Sequence, residues 1–203
     1  MEKKTIVKNE IVKNGIHGYS AAETYIAPKE PAVKEHLEWF MGLKLGLMMH
    51  WAPGCQMGTY ESWPLSDGDG SWSQKDVDWT DIETFKQEYI DCNKTFNPVK
   101  FRPDRMAEFA KECGFKYLLF TTKHHDGFCL WPSRYTAHTV AASPFRGGNG
   151  DVVREVSEAL RKYNLKFGIY LSPWDRHEPC YGKGPQYDDF FVGQLTELLT
   201  GYG

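Results

Sequence analysis

The chain has 203 residues, 41% of them hydrophobic and 25% charged, with a formal net charge of −3. That balance is ordinary for a globular protein, and its scattered Lys and Arg argue against a nucleic-acid or anionic-membrane partner. Aromatic residues reach 15%, which suits either a well-filled core or a site where flat rings stack on sugar C–H faces.

Residues 1–30 read as a polar lead-in, and 31–203 as the portion that builds a domain. Met1 to Lys8 carries charge with no apolar stretch after it, unlike a secretory signal, and no apolar run approaches a membrane span. The five cysteines (Cys55, Cys92, Cys113, Cys129, Cys180) form an odd set without a C-x-x-C pair. Neither a disulfide framework nor a zinc knuckle is indicated. A cytoplasmic location is the default expectation, with secretion or a periplasmic place left open.

Pro31 opens a helix to about Phe40, its missing N–H costing little at a first helical position. Leu45-Gly46-Leu47-Met48-Met49 reads as a buried strand. A long loop rich in Gly, Ser, Asp and Trp runs from Trp51 to Thr80, and loops of that length are usually functional or disordered. Asp81 is a candidate N-cap for a helix carrying Ile82, Phe85, Tyr89 and Ile90. The next helix starts near Pro103, carries Met106, Phe109 and Ala110, and stops at Gly114. Lys116 to Thr121 forms the second strand. Asp151 to Tyr163 is helical, and Phe167 to Leu171 is the third strand. A last helix, about Tyr187 to Leu199, turns Phe190, Phe191, Leu195, Leu198 and Leu199 toward one side.

Alternating strands and helices predict an α/β protein with parallel strands. The polar, aromatic-rich loops all come after strands, which is the chemical face of a β/α barrel. An open doubly wound sheet places ligands at the same strand ends, so periodicity alone does not choose between them. No glycine-rich phosphate loop succeeds the first strand. A closed eight-stranded barrel needs about 250 residues, so three strands predict the N-terminal three or so β/α units of a (β/α)8 barrel.

The densest chemistry is Thr121-Thr122-Lys123-His124-His125-Asp126-Gly127-Phe128. Buried polar groups each demand a partner, so this mixture at a strand end suits a hydroxyl-rich ligand. Neighbouring strand residues face opposite ways; His124 and His125 can share a ligand only if the backbone leaves the strand there. His50-Trp51 ends the first strand, its imidazole a ligand contact or a backbone-satisfied strand end, its indole a pocket wall. Glu61 and Trp63 lie in the long loop, Glu61 as a hydroxyl acceptor, an acid/base group or a solvated carboxylate. Trp174 offers a stacking platform, and Asp175-Arg176 reads as a local ion pair. A metal site is a rival use of the histidines, but it lacks an H-x-H pair and a carboxylate the sequence can place.

Three stretches together resemble the alpha-L-fucosidase family of retaining glycoside hydrolases. They are Gly46-Leu47-Met48-Met49-His50-Trp51, the run from Lys116 to Phe128, and Lys166-Phe167-Gly168-Ile169-Tyr170-Leu171-Ser172. The resemblance implies a β/α barrel that releases terminal alpha-L-fucose from fucosylated glycans, without metal or cofactor. It implies that His50, Glu61, His124 and His125 hold sugar hydroxyls and that Tyr170 lines the patch under the sugar's methyl group. Ser62 stands between Glu61 and Trp63 where many members have Glu next to Trp. The nucleophile and acid/base carboxylates are expected beyond Gly203, so no catalytic residue is assigned within the chain. A fucose-binding module or inactive relative is the alternative reading, and a metal-dependent barrel hydrolase a further one.

Overall fold

The five α-helices of the described residues start in two ways. Proline occupies the first turn of α1 (Pro31–Leu43), α3 (Pro103–Glu112) and α5 (Pro185–Gly201). Aspartate caps the other two: Asp81 accepts from the Thr84 N–H before α2 (Ile82–Thr95), and Asp151 from the Arg154 N–H before α4 (Val152–Lys162). Each such cap is worth about 1 kcal/mol against alanine. The computed structural model describes residues 26–66, 72–73 and 81–202. The first 25 residues of the expected lead-in, and part of the long loop, lie outside them.

Three strands, β1 (Gly46–Met49), β2 (Tyr117–Lys123) and β3 (Lys166–Leu171), pair in parallel in the order β1-β2-β3. The β1–β2 connection carries α2 and α3, and the β2–β3 connection carries α4. This is the β/α pattern that hydrophobic periodicity predicts. The core forms where the helices cover the sheet: Leu118 and Phe120 of β2 are buried with Ala107, Ala110, Val152, Val153, Val156 and Leu160. Burying one such large side chain contributes about 1.5–3 kcal/mol, so α3 and α4 are held mainly by this seam.

Two helical faces depart from expectation. Phe109 is exposed on α3, where the small Ala107 and Ala110 face the sheet instead. Close approach of α3 favours small residues and pushes the ring outward. Leu199 is likewise exposed on α5, whose buried face is Tyr187, Phe190, Gly193, Gln194 and Leu198.

The sheet has two open flanks. α1 buries none of its residues, and Leu37, Trp39, Phe40 and Met41 are exposed beside Leu45 and Met48. Beyond β3, Leu165, Phe167, Ile169 and Leu198 line an open hollow of about 380 Å³. No helix is long and apolar enough to cross a membrane among the described residues.

Candidate functional site

The polar groups that the sequence concentrates after strands converge at the carboxyl ends of β1, β2 and β3. His50 comes directly after β1. Two short 3-10 turns, Pro53–Met57 and Trp63–Leu65, fold the long loop back over the strand ends and deliver Glu61 and Trp63 beside it. Glu61 adopts φ 50°, a left-handed conformation that costs a non-glycine residue on the order of 1 kcal/mol or more. The strain is offset where its carboxylate lands. One oxygen is 3.0 Å from His50 Nδ1 and the other 2.8 Å from His124 Nε2.

These contacts fix where protons lie. An ionised carboxylate only accepts, so His124 donates its Nε2–H to Glu61. In a neutral imidazole Nδ1 is then the acceptor, and the buried Ser62 hydroxyl, 2.5 Å away, donates to it. The serine that separates Glu61 from Trp63 therefore orients the histidine that orients the glutamate. Burial alone would raise the Glu61 pKa, but the His124 hydrogen bond and the His124 and His50 charges outweigh it, holding the carboxyl below its ordinary value. The His50 pKa is lowered from its ordinary value, first by burial, with the Glu61 charge opposing the shift. Its Nδ1 is also 2.9 Å from Thr121 Oγ1.

His124 and His125 both reach this face because β2 ends at Lys123 and the chain turns at His125-Asp126. The Gly127 N–H closes the turn by donating to the His124 carbonyl at 3.2 Å, so strand alternation no longer separates the two rings. The two rings lie 4.0 Å apart, tilted 32°. His125 Nδ1 is 2.6 Å from Ser172 Oγ, which also accepts the Trp174 N–H. Trp63 and Trp174 stand against His125 with centroids at 4.8 and 4.9 Å. Tyr170 meets His50 at 5.5 Å and His124 at 6.0 Å; burial, then the Glu61 charge, raises its pKa. His50, Glu61, Trp63, His124, His125, Tyr170 and Trp174 thus form one cluster, with His124 and His125 buried and the side chains of His50 and Glu61 each 29% exposed.

Trp51 is not part of it. Its ring packs on Phe96 and Phe101 at 5.4 and 4.9 Å, away from the expected pocket wall. Alternation explains this: His50 faces the strand-end cluster, so its neighbour turns to the opposite side, under the helices.

The expected Asp175-Arg176 ion pair is also replaced. Asp175 Oδ2 instead pairs with Lys123 Nζ at 2.9 Å, both side chains being essentially inaccessible. Asp175 Oδ1 accepts from the His177 and Glu178 N–H groups, and the Arg176 guanidinium lies over Trp174 at 5.4 Å. Lys123 Nζ further faces the Phe190 ring of α5 at 5.3 Å. Gly127 (φ 73°) closes the turn where a Cβ would collide with Asp175 Oδ1. Beneath the turn, Asp126 accepts from the Tyr89 hydroxyl and the Phe128 N–H, and burial raises its pKa. His138 stacks on His177 at 4.1 Å, and burial, then the His177 charge, lowers its pKa to about 3.

Ser62, Thr121, Ser172 and the Lys123–Asp175 pair are site-building residues that sequence reasoning did not single out for these roles. Lys123 and Ser172 lie inside the runs that carry the family resemblance; Ser62 showed only as an inserted residue. Among the described residues, one group of three metal-capable side chains occurs, His50, Glu61 and His124, with ligand atoms within 4.8 Å of one another. Glu61 is the carboxylate the sequence could not place.

Polar side chains gathered at the carboxyl ends of parallel strands define the ligand-binding face of a β/α protein. The family model for alpha-L-fucosidase matches residues 15–203. Alpha-L-fucosidase 1 of Arabidopsis thaliana is 51% identical over 108 residues, covering 53% of this chain and 21% of the relative. Alpha-L-fucosidase isoenzyme 1 from Paenibacillus thiaminolyticus is 30% identical with a TM-score of 0.68, covering 85% of this chain and 41% of that one. A Bacteroides thetaiotaomicron alpha-L-fucosidase, solved as a trapped covalent intermediate with 2-fluoro-fucosyl fluoride, is 29% identical at TM-score 0.68, covering 88% and 40%. The chain belongs to the alpha-L-fucosidase family. It spans about a fifth of the first curated relatives it matches.

Proposed function

We propose that this chain is the sugar-holding part of a retaining exo-glycosidase that releases terminal alpha-L-fucose, supplying three β/α units of a (β/α)8 barrel. The observation that carries the reading is the convergence of Glu61, His50, His124 and His125 from three separate segments, edged by Trp63, Tyr170 and Trp174. Glu61 and His50 present the accessible polar edge; His124 and His125 lie just beneath and set its geometry. Tyr170 and the two indoles offer apolar faces for the ring and its methyl group.

Retaining hydrolysis needs two carboxyl groups about 5–5.5 Å apart. Among the described residues Glu61 is the carboxylate at the cluster's open edge, already committed to two imidazoles. Asp126 and Asp175 are buried and engaged elsewhere. The proposal therefore gives this chain fucose binding and assigns the nucleophile and the acid/base to other parts of the enzyme. Calorimetry with L-fucose, together with a turnover assay on fucosylated oligosaccharides, tests it. Fucose is expected to bind more tightly than L-galactose, which carries a hydroxyl on the corresponding methyl, with no sugar released. Turnover by the pure chain, or no preference for fucose, overturns it.

A further inference from the structure

We propose that Glu61, His50 Nδ1 and His124 Nε2 form a chelating site for a borderline transition-metal cation, Zn2+ or Co2+, and that the bound ion excludes the sugar. The site goes beyond the proposed function and stands on its own geometry; the competition alone rests on the fucose reading.

The three residues come from two strand ends and the long loop, and one ligand atom from each lies within 4.8 Å of the others. The Glu61 oxygens are 3.0 Å from His50 Nδ1 and 2.8 Å from His124 Nε2. Zn–N and Zn–O bonds of about 2.0–2.1 Å place neighbouring tetrahedral ligands roughly 3.3 Å apart. The two measured separations, one to each oxygen of the carboxylate, are within about half an ångström of that edge, so the ion seats when the imidazoles and the carboxylate reorient around it. His50 and Glu61 are each 29% exposed, which leaves room for that movement and an open side for water in the fourth position.

The surroundings match what a metal histidine needs. Such a histidine holds its second ring nitrogen with a hydrogen-bond partner. His124 has one in place: Ser62 Oγ lies 2.5 Å from Nδ1. When the cation takes Nε2, the ring proton moves to Nδ1 and Ser62 changes from donor to acceptor, so the His124–Ser62 contact survives; at His50 the ion displaces the 2.9 Å contact of Nδ1 with Thr121 Oγ1. Two imidazoles and one carboxylate favour Zn2+ or Co2+ over the oxygen-seeking Ca2+ and Mg2+. The strain held at Glu61 (φ 50°) keeps the carboxylate aimed between the two rings before any ion arrives. An ion there takes the same edge that would meet sugar hydroxyls.

The test is calorimetric titration of the EDTA-treated, dialysed chain with ZnCl2, alongside Co2+ absorption spectra. One ion per chain is expected, with a Co2+ spectrum lacking the thiolate charge-transfer band that cysteine ligation would give. Glu61→Gln and His50→Gln each weaken binding more than tenfold with unchanged circular dichroism. Ser62→Ala weakens it by about 10–100-fold, the range for loss of an outer-shell partner. His36→Gln, on the exposed face of α1, leaves it unchanged. Absence of one-to-one binding, a thiolate band, or equal affinity in the Glu61 and His50 variants overturns the site. Should one variant unfold, the other and the Co2+ spectrum still decide. L-fucose at saturation is expected to raise the apparent Zn2+ dissociation constant. Fucose that binds without affecting Zn2+ overturns the exclusion; fucose that does not bind refutes the sugar reading and leaves the metal result standing.

Discussion

Replacing Asp175 by Asn removes one charge from a pair that is 2.9 Å long and essentially inaccessible on both sides. Asn keeps the shape and can still accept from the His177 and Glu178 N–H groups, so the change isolates the charge. Removing one partner of a buried pair costs about 3–5 kcal/mol, because the other charge stays buried. The Phe190 ring at 5.3 Å retains a cation–π contact of about 0.5–2 kcal/mol, placing the expected loss near 3 kcal/mol. For a chain of this size, 1 kcal/mol shifts Tm by about 2–4 °C, so a drop on the order of 10 °C is expected. Urea melts monitored by tryptophan fluorescence give the free energy. Lys123→Met is expected to cost a similar amount, and the double variant less than the sum, because no charge is then stranded. Losses below about 1 kcal/mol, the size of a surface pair, or simple additivity, would refute the reasoning. The pair also ties the end of β2 to the loop bearing Trp174, so fucose binding should weaken in both single variants.

The same geometry sets three further outcomes. Glu61→Gly should be about 1–2 kcal/mol more stable than Glu61→Ala in urea melts, since only glycine adopts this φ without cost, while both lose fucose binding in calorimetry. Gly127→Ala should cost about 2 kcal/mol or more, adding left-handed strain to the overlap with Asp175 Oδ1; a neutral effect in thermal melts would contradict the turn geometry. His138 has a folded pKa of about 3 against an ordinary 6.5, so the unfolded chain binds the extra proton and stability falls as pH drops from 6.5 toward 3. His138→Gln removes that dependence. The urea stability of the parent chain should decline relative to the variant by about 2 kcal/mol between pH 6.5 and 5, and parallel pH profiles would rule this out.

The fold was legible because its signals are local. Prolines at Pro31 and Pro103 and the aspartate at Asp81 mark helix starts, and short apolar runs mark the three strands; the last helix begins at Pro185, two residues ahead of the Tyr187 start that its spacing suggests. Helix faces were less so: Phe109 and Leu199 satisfy helical spacing, yet each helix's approach to the sheet decides which flank is buried. At the site, residue types and the family resemblance named His50, His124, His125, Tyr170 and Trp174 at or near strand ends, and Glu61 and Trp63 in the long loop. Their wiring was not readable. Trp51 was misplaced because strand alternation was not applied across His50, and Asp175 was paired with its sequence neighbour instead of Lys123, 52 residues away. Long-range pairing and the φ of Glu61 depend on how the loops fold over one another, which no local pattern encodes.

The turn that follows Lys123, closed from Gly127 back to His124, gives the arrangement its reach. A strand running on would extend one finger toward a ligand and tuck the next behind it; the bend here brings two imidazoles to the same side. The grip is thus written in spacing as much as in chemistry. Shortening this turn by a single residue, with both histidines kept, would turn one of them away and leave a one-handed hold.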